Sequence, residues 1–223
     1  MNLQEIKVTS FLMTSLFSFE SSYVDIATRH FNQNLSSNDC KLIMKFLNDW
    51  GCRQFKKDNH KDASKYLIKW HKQAFKILPN HSLCLIDQSD NKIKQYSQIF
   101  DSLKESYAST DKRGIIKTFG PVGTAKTLFA LRKNMFPPWD NAIIEKLDLS
   151  PDGVGYVKYL FLVKEELLKL KIECQKNNIE LKKLPIILNN KYSSLVKLID
   201  EYFWLTMTRN FEPNKLIDII KKQ

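Results

Sequence analysis

The 223 residues carry 35 Lys+Arg against 24 Asp+Glu, a net charge of +11, with 43% hydrophobic and 26% charged residues. That is an ordinary globular composition, and it excludes a disordered or collagen-like polymer. The longest apolar run, Tyr159–Val163, falls far short of the roughly 18 residues that suggest a membrane span.

Taken in chain order, Glu5 near the start and the Ser/Thr scattered through Phe11–Phe19 argue against a signal peptide. Residues 5–13 are compatible with a short strand. After the start signal Ser36-Ser37-Asn38-Asp39, the residues Leu42, Ile43, Phe46, Leu47 and Trp50 recur at helical spacing. A second helix runs through Ala63, Tyr66, Leu67, Trp70, Ala74, Phe75 and Leu78 to Pro79-Asn80. Ser82–Ile86 is a second candidate strand, and Ile93, Tyr96, Ile99, Phe100 and Leu103 mark a third helix. Ser150-Pro151-Asp152 opens another, because proline at the first helical position forfeits no hydrogen bond. Its inward face is Tyr156, Val157, Leu160, Phe161, Leu167 and Leu168, with Lys164, Glu165 and Lys169 outside. A final stripe, Leu195, Leu198, Ile199, Tyr202 and Leu205, points inward. The fold class is therefore mostly α, a single domain over 1–223 with room for two lobes.

Thirty of the cations are Lys and five are Arg. Residues 1–110 hold 15 cations and 11 anions; residues 111–223 hold 20 and 13, so the excess leans C-terminal. Excess positive charge favours polyanions, since each neutralised phosphate releases counterions. The four cysteines (Cys40, Cys52, Cys84, Cys174) form no C-x-x-C pair, so neither a zinc site nor a disulfide framework is expected. The expectation is a reduced, cytoplasmic protein with no metal, no cofactor and no membrane partner.

Half of the six glycines (Gly114, Gly120, Gly123) lie within eleven residues at the start of the segment 113–147. Glycine turns that lead into a helix expose backbone N–H groups able to hold a phosphate, although such a turn also serves as a tight connection. Gly120 to Thr127 resembles the phosphate loop of P-loop ATPases. Ala125, however, stands where that motif has glycine, and Lys117-Thr118 interrupts the strand that must precede it.

The same segment resembles the helix-hairpin-helix DNA glycosylase superfamily, and its Gly-Pro-Val-Gly…Ala-Lys…Pro-Trp-Asp pattern is similar to a divergent bacterial branch of it. Phe119-Gly120-Pro121-Val122-Gly123 looks like the hairpin, and Thr124–Arg132 like its second helix. Met135 to Asp140 looks like the run into the catalytic aspartate. The resemblance implies a DNA backbone grip through Gly120, Val122, Gly123, Thr124, Lys126 and Thr127. It implies catalysis by Asp140 and a base pocket walled by Trp139. A carboxylate beside the sugar stabilises the oxocarbenium-like transition state and orients water, while the flipped base needs aromatic or apolar walls. Members that also cleave the strand carry a lysine where this chain has Ala125, with Lys126 one position on. A monofunctional enzyme follows, acting as a monomer on DNA. Two alternatives stand beside it: a non-catalytic DNA-binding helix-hairpin-helix, and Asp140 as a mere helix cap. His30, His60, His71 and His81 lack ligand spacing and read as structural. Glu165-Glu166 and Asp200-Glu201 read as solvated faces. Tyr202, Trp204 and Arg209 read as core residues, with a cleft lining as the other option.

Overall fold

The computed structural model describes residues 1–16, 21–55 and 60–221. Phe17–Phe19, part of the stretch weighed above as a leader, lie outside them. In chain order the helices are α1 (Leu3–Leu16), α2 (Ser21–Thr28), α3 (Ser37–Asp49), α4 (His60–Ala74) and α5 (Asp90–Lys104). The strands β1 (Tyr107–Thr110) and β2 (Ile116–Thr118) follow. After them come α6 (Gly120–Leu131), α7 (Asn141–Lys146), α8 (Gly153–Lys176), α9 (Leu184–Ile187), α10 (Leu195–Phe203) and α11 (Pro213–Lys221). The mostly helical reading holds. Among the described residues the sheet is a two-stranded antiparallel ribbon, pairing Tyr107 with Thr118 and Thr110 with Ile116.

Local chemistry explains most of the boundaries. Ser36 and Asp39 form a reciprocal capping box at the start of α3, and Arg29 adds two hydrogen bonds to Asp39 at 3.0 and 2.6 Å. The box, the arginine's charge and its hydrogen bonds outweigh burial and hold Asp39 below the usual carboxylate range. Helix α8 starts at Gly153 rather than at Pro151; Asp152 is its cap, accepting from the Gly155 N–H at 2.9 Å. The glycine at 153 is required by proximity. A Cβ there would lie 2.3 Å from the Ser97 carbonyl oxygen on α5, which packs along α8.

Buried apolar side chains from α1 through α10 form a continuous core. Its centre is aromatic: Phe100, Phe136, Trp139, Tyr156 and Tyr159 stack or meet edge to face across α5, α8 and the segment before α7. The expected stripes of α3, α4, α5, α8 and α10 largely supply it. Tyr66 and Leu168, expected inside, are 47% and 43% exposed; Tyr66 instead meets the Tyr107 ring at 5.2 Å.

Both strand expectations fail. Residues 5–13 lie within α1, where Ile6, Thr9 and Ser10 recur on one buried helical face. Ser82–Ile86 is a turn running into the 3-10 turn Leu85–Asp87. Of the four histidines, His71 is fully buried, its ring bonded to the Gln33 carbonyl, and burial lowers its pKa to about 4. All four cysteines are free and buried, and no described helix is long and apolar enough to cross a membrane.

Candidate functional site

The segment Met135–Asp140 cannot continue α6, because Pro137-Pro138 offers no N–H donors. Its carbonyls are bonded instead by tyrosine hydroxyls of α8, Tyr156 to Pro137 at 2.9 Å and Tyr159 to Pro138 at 3.2 Å. The buried Trp139 indole donates to the Pro121 carbonyl in the first turn of α6 at 3.1 Å. These three bonds fix the strap that ends in Asp140.

Asp140 is the cap of α7, with Oδ1 accepting from the Ile143 N–H at 2.9 Å. Its Oδ2 accepts from the Thr208 hydroxyl at 2.9 Å. Thr208 ends a π-helical turn, Trp204–Thr208, that continues α10 and packs on α7. Such turns occur often at functional sites. Asp140 is at once a cap and a cleft residue.

The cleft has a volume of about 470 Å³, enough for a nucleobase. Tyr23, Trp50, Trp139 and Trp204 give it aromatic walls, and its charged groups include Asp140, Lys126, Lys197, Asp200, Glu201 and Arg209. Lys126 enters from α6, donates to the Trp50 carbonyl and lies 5.9 Å from the centre of that ring. Lys197 lies over the same ring at 5.0 Å, and Arg209 over Trp204 at 4.6 Å.

The expected phosphate residues divide. Gly123, Thr124 and Thr127 are buried; Thr127 donates to the Gly123 carbonyl at 2.7 Å. A Cβ on Gly123 would come within 3.2 Å of the Phe55 ring, so this glycine serves packing. Gly120 and Val122 are half-buried, and Gly120 has φ +66, a value that favours glycine. Because α6 begins at Gly120, residues 120–123 form its first turn, where a loop between two helices was expected; the β1–β2 hairpin precedes them. Only Lys126 of the set shares the cleft with Asp140 and Trp139. The geometry gives the phosphate-loop resemblance no support: β2, the strand before α6, pairs antiparallel with β1, and Lys126 and Thr127 bond backbone carbonyls where a phosphate cradle needs both side chains free.

Sequence reasoning missed the most unusual group in the cleft. Asp200 and Glu201, expected on a solvated face, are only 6% and 1% exposed. Lys197, one helical turn back, lies 2.6 Å from Asp200 and 3.8 Å from Glu201. Burial pushes both carboxyls up against the pull of Lys197, and Glu201 reaches about 7. Lys197 is held above the ordinary lysine value, because the two carboxylates outweigh its own burial. Glu201 Oε2 receives Asn190 at 3.4 Å, and hydrogen bonding from Asn190 and the buried Ser193 hydroxyl partly offsets the effect of burial. The local pattern gave no signal: Leu195, Val196, Leu198, Ile199 and Phe203 lie on the opposite face of α10 from Lys197, Asp200 and Glu201, as in an ordinary amphipathic helix. Trp204 and Arg209 prove to line the cleft, and Tyr202 is half-buried.

A second, shallower cleft of about 1030 Å³ lies between the hairpin and the 3-10 turn at Arg53–Phe55, lined by Arg53, Lys112, Arg113 and Lys117 among others. Asp111 pairs with Arg113 at 3.5 Å and Lys117 at 3.8 Å, partly offsetting their charge. Gln54, in its wall, donates to the Phe119 carbonyl at 3.0 Å, so the basic cleft adjoins the start of α6. Among the described residues no three His, Cys, Asp or Glu are grouped to hold a metal ion. No protein family, curated protein or solved structure matches this chain.

Proposed function

We propose that the chain is a DNA glycosylase-like protein that accepts a flipped base in the aromatic cleft and hydrolyses its N-glycosidic bond with Asp140. The observation that carries this reading is the convergence of Asp140, Lys126 and four aromatic side chains on one base-sized cleft. Cleavage sends the C1′–N electron pair to the base. A water oxygen then bonds C1′, and the proton it loses is taken up by the departing base. The Asp140 carboxylate supports the positive charge that develops on the sugar. The basic cleft next to α6 supplies a path for backbone phosphates, through side chains of the hairpin rather than through the α6 glycines.

The test is base release from DNA duplexes carrying deaminated, alkylated or oxidised bases, with the Asp140→Asn variant beside the parent chain. Release by the parent and loss of at least a hundredfold in rate in the variant is the expected pattern. Equal release by both would remove Asp140 from catalysis. A non-catalytic DNA-binding reading is favoured by one observation, that both Asp140 oxygens already accept hydrogen bonds. It expects DNA binding without release, unchanged or strengthened in Asp140→Asn.

A further inference from the structure

We propose that two depressions adjoining β1 form one surface that binds single-stranded nucleic acid. Its bases stack on the pair Tyr66 and Tyr107, and its phosphates run over the cations of the hairpin and Arg53. The phosphate path is taken from the reading above, and the proposal rests on that reading for this step alone. The surface shares no lining residue with the cleft of Asp140.

Tyr66 is a side chain that the core leaves out. It belongs to the apolar stripe of α4, yet it stays exposed and meets the half-buried Tyr107 of β1 ring to ring. Both rings line a depression of about 390 Å³ together with Lys65 and Lys69, room enough for a base. The Tyr107 hydroxyl lies 3.0 Å from that of Thr110, and Thr110 lines the basic cleft described above. The two depressions therefore adjoin along β1. Across the ribbon Thr110 pairs with Ile116, which is 65% exposed among the cations of that cleft.

Positive charge is concentrated here. Five described residues line the first depression and ten the second; together they hold six cations (Arg53, Lys65, Lys69, Lys112, Arg113, Lys117) against Asp62 and Asp111. That net +4 is over a third of the +11 of the whole chain. Both carboxylates are committed to local structure. Asp111 accepts from the Arg113 and Ile115 N–H groups at 2.9 and 3.0 Å and so ties the hairpin turn. Asp62 stands in the first turn of α4, where negative charge suits the helix dipole, and pairs with Lys65. Among the described residues Arg53, Lys69 and Lys112 form no ion pair, which leaves them for phosphates. A duplex keeps its base faces stacked on one another, whereas an unpaired strand offers them to aromatic rings. Cations on both sides of an accessible aromatic pair therefore fit a single strand better than a duplex or an acidic protein.

The test is fluorescence anisotropy of the full chain with labelled oligo-dT and oligo-U of about 15 nucleotides, and with a DNA duplex of the same length. The strands are expected to bind more tightly than the duplex, and their ratio tells a DNA ligand from an RNA one. Tyr66→Leu keeps apolar contact with Tyr107 but has no π-face; it should weaken strand binding about tenfold and duplex binding by less than about twofold. Tyr66→Phe, which restores the face, should bind the strands within about twofold of the parent. Lys112→Ala should lower the slope of log K against log salt by about 0.7. A duplex bound as tightly as the strands, or Tyr66→Leu binding them like the parent, overturns the proposal and leaves the Asp140 reading standing. Polyglutamate of matched charge competing as well as the strands would overturn it in favour of an acidic protein partner. If neither strand nor duplex binds, the proposed function fails and this surface with it.

Discussion

Replacing Glu201 by Gln removes a carboxyl that pays for its burial in proton affinity, and the effect is readable in stability alone. In the unfolded chain this group titrates near 4.5, whereas in the fold burial raises it to about 7 despite Lys197. The charged and titratable groups around it are Lys197 and Asp200 on α10 and Tyr23 on α2. Between those two values the folded state holds a proton that the unfolded state has lost, so stability falls as pH rises through the interval. At about 1.36 kcal/mol per pH unit the loss is about 3 kcal/mol, fully absent below pH 4.5 and complete above pH 7. Glutamine copies the protonated form, keeps an oxygen for Asn190, and leaves Lys197 paired with Asp200. Urea unfolding at pH 5 and pH 8 should therefore show the variant gaining on the parent by about 2.5 kcal/mol across that range, part of the loss having occurred already by pH 5. For a domain of this size the gain corresponds to a midpoint difference on the order of 10 °C. A difference between the two chains that stays constant from pH 5 to pH 8 would refute the reasoning, because an ordinary glutamate has finished titrating by then.

Gly153→Ala should cost about 2–4 kcal/mol, since its Cβ meets the Ser97 backbone at 2.3 Å and α5 cannot yield locally; thermal unfolding reads this directly. Tyr156→Phe leaves the Pro137 carbonyl without its hydroxyl partner and should lose about 1–2 kcal/mol in urea unfolding. Base release, where present, should fall with it because the strap carrying Asp140 loosens. Asp140→Asn should fold with a midpoint within a few degrees of the parent, asparagine being an equally good cap, as circular dichroism melts would register. Borohydride should trap no protein–DNA adduct through Lys126, whose ammonium is bonded to the Trp50 carbonyl; a trapped adduct would assign it as a strand-cleaving nucleophile.

The helices were legible wherever apolar residues recur on one face and a cap precedes them, as at Ser36 before α3 and through Ile93–Leu103 in α5. The strap from Met135 to Asp140 was legible too, since consecutive prolines before a capping aspartate force an extended approach to a helix. What failed were signals with two physical causes. Glycines at 120 and 123 suggested phosphate contact, yet one takes up a positive φ and the other makes room for Phe55. Lys197, Asp200 and Glu201 have the i, i+3, i+4 spacing of a solvated ion-pair face. Only tertiary packing by α1, α2 and the residues before α10 encloses them, and a local pattern carries no trace of that. Tyr66 shows the converse: its place on an apolar stripe fits the core, but it lies beside the hairpin.

Cap and catalyst are compatible roles for Asp140. A carboxylate has about four acceptor positions, and the Ile143 N–H and the Thr208 hydroxyl occupy two of them. The same bonds that stabilise the start of α7 fix the orientation of the group. A freely rotating carboxylate would have to be ordered during the reaction; this one is ordered by folding. The strap, the tyrosines of α8 and the π-turn after α10 all converge on that single orientation. Three elements distant in sequence restrain one side chain at the mouth of an aromatic cleft, whereas capping a six-residue helix alone requires only the Ile143 contact. The surplus of restraint is the strongest structural argument that the position of Asp140 matters for more than α7.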